Sequence, residues 1–285
     1  MAEVNGRYHK YGAEASVLAG KLELPLKQET YPQAFLKLHE EGGYLSHKHC
    51  GYRLESVLSF DSAYTQVAGN RETKPGHGWS TLVTSVVEKF NILDVVTADR
   101  IVAQIATEYP LAGYVPSITF LGTRFENLRI AGHHVDLDLN LDLFGEKPEN
   151  DASYTQDPGF VERVCKQHER VREHRNPLTE LLERYNRVPA SFENVEDDRE
   201  SVECSLVNQA EGSYPGRTFG HVIHVPHFGT IYLATVRLEQ SDYIQGSRTP
   251  RCTSLHLEMI RAKLGCAIGG STTGPQAVVR GTTHP

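Results

Sequence analysis

The chain has 285 residues, with Lys+Arg 29 against Asp+Glu 36 and a formal net charge of −7. That balance argues against a nucleic-acid backbone as partner, because such binders present a basic face. Hydrophobic residues at 39% and charged residues at 23% support a sizeable core, and no apolar run approaches the length of a membrane helix.

In chain order, the opening Met1–Lys10 holds no apolar leader segment, which reads as a cytoplasmic protein. Leu18, Leu22, Leu24 and Leu26 then share one face of a strand-like run over 16–26, and Leu54, Leu58, Phe60 and Tyr64 do so over 53–64. Residues 81–108 are rich in Val, Ile and Thr, as in strands buried on both sides. Pro110, Gly113, Pro116 and Gly122 punctuate the next stretch as turns between β elements. Val135–Leu143 alternates aliphatic residues with Asp136, Asp138, Asn140 and Asp142, which predicts a strand with one apolar and one acidic face.

One block departs from period two. Asp157-Pro158 offers an N-cap and a first-turn proline, and Phe160, Val164, Cys165, His168 and Val171 recur at helical spacing. Asn176-Pro177 repeats the start signal before Leu178, Leu181, Leu182 and Tyr185, so a helical hairpin is expected over about 157–187. Arg163, Arg170, Arg172 and Arg175 read as a solvated face of that hairpin, or as contacts to the acidic strand. The acidic run 193–203 reads as a loop. Beyond it, Tyr232, Ala234, Val236 and Leu238 share a face, and 253–264 carries a one-residue phase slip between Met259 and Ile260, the signature of a β-bulge. The glycine- and threonine-rich stretch 269–285 holds few core-forming residues and reads as a flexible tail, or as an arm that orders only against a partner. The expected architecture is therefore mainly β, a sandwich or pair of large twisted antiparallel sheets with an inserted helical hairpin: one β-rich domain over 1–268 and then the tail.

The five cysteines are odd in number, widely spaced and free of any C-x-x-C pair, as in reduced thiols packed as small hydrophobes. No G-x-S-x-G, phosphate-loop or H-E-x-x-H motif occurs, and Gly76-His-Gly78 lacks the third glycine of a dinucleotide fingerprint.

Two sets of residues suggest divalent-metal chemistry. His47 and His49 lie on one face of an extended chain, and His221 and His227 share a face of a later strand, so the four are candidate ligands for Zn²⁺, Cu²⁺ or Fe²⁺ if the segments meet. Asp136 and Asp138 match the first ligands of a calcium loop, although Leu141 and Lys147 occupy its required glycine and glutamate positions and a strand spreads carboxylates too far to enclose one ion. A solvated acidic face and hydrogen-bonded surface histidines are the simpler readings. Trp79 and the tyrosines near strand ends allow a third possibility, a small-molecule pocket between the sheets.

The strand at Thr97-Ala-Asp99, the run Gly122-Thr-Arg-Phe-Glu-Asn-Leu-Arg-Ile-Ala-Gly132 and the segment Val225-Pro-His-Phe-Gly-Thr-Ile231 resemble the bacterial choice-of-anchor P family of β-rich, surface-associated proteins. The resemblance covers about half the chain. It implies a β-rich fold and a surface or extracellular setting, and it carries over no catalytic residue. The functional expectation is a non-catalytic structural or interaction protein that associates with itself or another protein, with no nucleic acid and no membrane span. A histidine-based metalloenzyme and a small-molecule binding module are the alternatives.

Overall fold

A computed structural model describes residues 3–4, 6–25, 27–71, 77–174, 176–185, 199–265 and 267–285. The first run of strands comprises Glu3–Val4 (β1), Arg7–Ser16 (β2), Ala19–Leu24 (β3), Gln28–Thr30 (β4) and Leu36–Lys37 (β5). The second comprises Gly43–Leu54 (β6), Leu58–Arg71 (β7), His77–Ile92 (β8), Val96–Pro110 (β9), Ser117–Thr119 (β10), Arg124–Glu126 (β11), Arg129–Ile130 (β12) and His133–His134 (β13). After Asp136–Leu139 (β14) come two helices, Pro158–Arg172 (α1) and Thr179–Tyr185 (α2). The chain then returns through Glu200–Ser205 (β15), Val207–Glu211 (β16), Arg217–Phe219 (β17), Val222–Val225 (β18), Gly229–Ser241 (β19), Cys252–Gly265 (β20), Gly269–Thr273 (β21) and Gln276–His284 (β22).

The second run builds an eight-stranded antiparallel sheet by itself, in the order β13-β12-β9-β8-β7-β6 with β10 and β11 also on β9. The first and third runs share a twelve-stranded sheet whose main path is β1-β2-β22-β20-β19-β18-β17, and β14 pairs with β16 in a separate ribbon. β2, β20 and β22 pack across β7, β8 and β9. The result is the mainly-β, sandwich-like fold expected from the period-two pattern, with its helices in one insertion. No described helix is long and apolar enough to cross a membrane.

The C-terminal stretch corrects the expectation of a flexible tail. β22 lies between β2 and β20, paired with both along its length, and Ala277 and Val279 are buried in the main core. Small residues belong there because the opposite sheet comes close. Tyr109 of β9 donates a hydrogen bond to the Gly281 carbonyl at 3.0 Å, and a Cβ at Gly281 would run into the Tyr109 ring. A strand that must admit a neighbouring ring at contact distance cannot carry bulky residues, and its low hydrophobicity imitates a tail.

The strands are long because two lines of bulges let them bend without losing register. On β8 the inward residues are Val83, Ser85 and Val87, then Phe90 and Ile92; on β9 they are Val96 and Ala98, then Ile101 and Ala103. β7 changes parity likewise, between Phe60 and Ala63. The switches line up at Asp61, Lys89 and Asp99, with Gly51 of β6 beside them, and Gly51 and Lys89 have φ of 59° and 53°. Because neighbouring strands each accommodate the irregularity at the same point, their pairing resumes in register on both sides.

The second line is the phase slip expected in β20. It falls at Met259, opposite Ala234 of β19, whose φ is 42°. Here β19 exchanges β15 for β18 as its neighbour, and β20 exchanges β22 for β21. One consequence corrects the single apolar face expected for β19. Val236 and Leu238 join the main core, whereas Tyr232 faces the helices with Val222 and Phe219.

Other expectations held in part. The run 53–64 is a hairpin turning at 55–57, and of the leucines over 16–26, Leu18 and Leu22 are buried while Leu24 is 59% exposed. Leu26 lies outside the described residues. Of the acidic run, 193–198 lies outside them too, and from Glu200 onward it is β15, not a loop.

Candidate functional sites

The helices position the most elaborate polar cluster. Asp157 caps α1 by accepting from Phe160 N at 2.6 Å, as its sequence signal predicts. Phe160, Val164 and Val171 face inward, and Gln167 exchanges two hydrogen bonds with the Ser205 backbone (2.7 and 3.0 Å). Arg163 donates to the carbonyls of Leu143 and Phe144, and Arg170 to that of Asn208, so these arginines tie α1 to backbone beside the acidic ribbon and not to its carboxylates. Arg175 lies outside the described residues. α2 is then held against β19 by Leu181 and Tyr185, which are buried, while Leu182 of the expected stripe is 39% exposed.

On α2, Glu180 and Arg184 are one turn apart and meet different partners. Tyr232 Oη donates to Glu180 Oε1 at 3.0 Å, and Lys263 of β20 pairs with the same oxygen. Arg184 forms a two-pronged pair with Glu203 (2.8 Å each) and lies 4.5 Å above the Tyr232 ring centroid. Partial burial opposes the Glu180 charge, but hydrogen bonds from Lys263 and Tyr232 outweigh it and hold the carboxyl below its usual range. Burial and the Glu180 charge push the Tyr232 phenol upward. Deeper in, Tyr185 Oη lies 2.8 Å from His221 Nε2, and burial drives His221 down to about 3, which keeps it neutral.

This cluster borders an open cleft of about 630 Å³ between α2 and the β18–β21 end of the large sheet. Glu23, Glu180, His224, His227, Thr230, Lys263 and Ser271 line it. Gly229 is required in its floor: φ is 135°, and a Cβ would collide with the Lys263 carbonyl. Sequence reading passed over Glu180, Arg184, Glu203, Tyr232 and Lys263, because four elements far apart in the chain bring them together. The one local signal was Glu180 and Arg184 at i, i+4.

The four candidate histidine ligands do not form one site. His47 and His49 are on β6 in the eight-stranded sheet, their rings 6.3 Å apart and within 16° of parallel. His221 and His227 flank β18 in the other sheet and do not share a face: His221 is 1% exposed and bonded to Tyr185, whereas His227 is an exposed turn residue with φ of 62°. Among the described residues no group of three or more His, Cys, Asp and Glu side chains is arranged to hold a metal. The strand β14 leaves Asp136 exposed beside His134 and lets Asp138 accept from Asn208 at 3.2 Å, so these carboxylates line a solvated face.

Trp79 corrects the idea of a pocket between the sheets at that residue. It is fully buried, with the His9 ring stacked 5.4 Å from it and Tyr109 4.4 Å from His9. Side chains occupy that space. Desolvation, helped by His284, takes His9 down to about 3.

Residues 9–239 match the family model described as a domain of unknown function (DUF8256). The chain belongs to that family. The matched stretch runs from β2 to β19, two strands that the later β20 and β22 separate in the large sheet. No curated protein and no solved structure matches the chain.

Proposed function

We propose that this member of the family is a non-catalytic interaction protein that associates with further copies of itself through the edge of β6. One observation carries the reading. The strand orders of the two large sheets otherwise end on β1, β13 and β17, each two or three residues long, and the strands that branch from them with one partner reach six residues at most (β15), whereas β6 has 12. Among the described residues β6 is paired along one side alone, with β7, and Leu54 is its single buried residue. At about 3.3 Å per residue this is an edge roughly 40 Å long, with a row of open N–H and C=O groups. Such edges are normally kept short or covered. Lys48 and Arg53 discourage indiscriminate pairing, and an edge that pairs with its own copy about a two-fold axis is consumed in a closed dimer.

Sedimentation velocity on untagged protein over a hundredfold concentration range, with chelator and with zinc, tests the reading. A reversible dimer that Ser46→Lys with Cys50→Lys weakens at least tenfold supports it. A monomer under both conditions overturns it.

A further inference from the structure

From the histidine pair on that edge we infer that β6 carries half of a zinc-type metal site, completed by the same two histidines of a second copy. The inference rests on the self-association reading and adds the chemistry that drives it. His47 and His49 are two residues apart on an extended strand, so they project from one face, while Ser46, Lys48 and Cys50 project from the other. His47 is exposed and its ring lies nearly parallel to that of His49 at 6.3 Å. His49 leans edge-on against Phe60, with centroids 5.7 Å apart, and its Nδ1 is buried without a hydrogen-bond partner. Nε2 is therefore the nitrogen that His49 can present.

Two imidazoles on one tetrahedral zinc, with Zn–N about 2.0–2.1 Å, have centroids about 5 Å apart. A small side-chain rotation at exposed His47 covers the difference from the observed spacing. Two nitrogens leave a four-coordinate ion half filled, and the described residues provide no third ligand in this chain. Antiparallel pairing of β6 with itself, centred on Lys48, supplies both missing ligands. In that register His47 of each copy lies directly opposite His49 of the other, with Cβ atoms about 4.5–5.5 Å apart on one face. Four neutral nitrogen donors then surround one point, a set suited to Zn²⁺, Cu²⁺ or Ni²⁺ and poor for Ca²⁺ or Mg²⁺.

The same register makes association conditional. On the opposite face it sets Lys48 against its own copy, and like charges directly opposite disfavour pairing. The metal-free edge thus stays apart, and the ion provides the attraction that joins it.

The test is sedimentation velocity on the untagged full chain at tens of micromolar, with chelator or with zinc at half a molar equivalent, together with measured zinc per chain. Dimer with zinc, monomer with chelator, one zinc per two chains and loss of both in the exposed-site variant His47→Ala are expected; calcium has no effect. Ser46→Cys places a thiol opposite Cys50 of the second copy in this register, so oxidation in zinc gives a covalent dimer that chelator prevents. A dimer that is indifferent to chelator and to His47→Ala overturns the metal site and leaves self-association standing. One zinc bound per monomer without dimerisation, or a monomer throughout, overturns both.

Discussion

Replacing Val279 by Ala separates a core strand from a loose tail at a single side chain. Val279 is 1% exposed on β22, opposite Ala13 of β2 and Leu255 of β20. The substitution removes two methyl groups, about 1.6 kcal/mol at about 0.8 kcal/mol per buried carbon. If the site does not collapse, a void of about 40 Å³ adds about 1 kcal/mol at about 24 cal/mol per Å³. The expected destabilisation is therefore about 2.5 kcal/mol, whereas neighbouring Arg280→Ala, on the exposed side of the same strand, stays within about 0.5 kcal/mol. Urea unfolding reads both, because Trp79 is the chain's one tryptophan and sits in the same core. With m of about 2.5 kcal/mol/M, the Val279→Ala midpoint drops by about 1 M at unchanged m. A Val279→Ala midpoint equal to wild type would refute the placement of β22 in the core.

Two further measurements probe the bulge line and the buried imidazoles. Ala234 has φ of 42° where β19 changes neighbours, so Ala234→Gly is expected to leave the urea midpoint unchanged or raise it slightly, and Ala234→Val to cost at least about 2 kcal/mol; equal tolerance of both would contradict the left-handed backbone there. His9 and His221 both titrate near 3 in the folded protein, below the ordinary histidine value of about 6.5. A folded-state pKa depressed in this way means that the unfolded chain binds protons first, so stability is full above pH 6.5 and is lost as pH falls towards 3. Between pH 7.5 and 5 each histidine removes about 2 kcal/mol. His221→Gln should remove about 2 kcal/mol of the stability lost between pH 7.5 and 5, and an unchanged slope would mean that His221 is not buried neutral.

Arg184 and Glu203, 21% and 29% exposed, meet at the margin of an apolar cluster, where screening is weaker than on an open surface, whereas the Glu180–Lys263 pair is nearly half exposed. Tyr232 is the hinge of the arrangement, giving its ring to Arg184 and its hydroxyl to Glu180. The cleft beside it is lined by two carboxylates and two imidazoles, and the Glu180 Oε2 atom is not used by either partner of Oε1. The surface Lys89–Asp99 pair on the eight-stranded sheet is by contrast solvent-exposed and contributes little.

Local chemistry was enough to determine the mainly-β class, the helical insertion with its Asp157 cap, the existence of the strands β8 and β9 and the slip at Met259. Each depends on alternation, capping or propensity within a few residues, and those act before any distant contact forms. The expected burial of β8 and β9 on both sides was wrong, because their outer face is part-exposed, with Glu88, Lys89 and Asp99 in solvent. Other features were decided by tertiary structure alone. β22 looked like a tail because its sequence is shaped by the Tyr109 ring packed against Gly281, a constraint invisible without the opposite sheet. Tyr232 looked like a core residue in step with Val236, and only the bulge at Ala234, matched by the neighbouring strand, turned it to the helices. The histidines were legible as residue types but not as partners: 47 and 49 share a strand by local geometry, while 221 and 227 were sent to unlike environments by α2, which buries the first and leaves the second at the cleft. Spacing along one strand is set by the backbone, whereas meetings between strands are set by the order in which a sheet is assembled, and that order is a property of the whole chain.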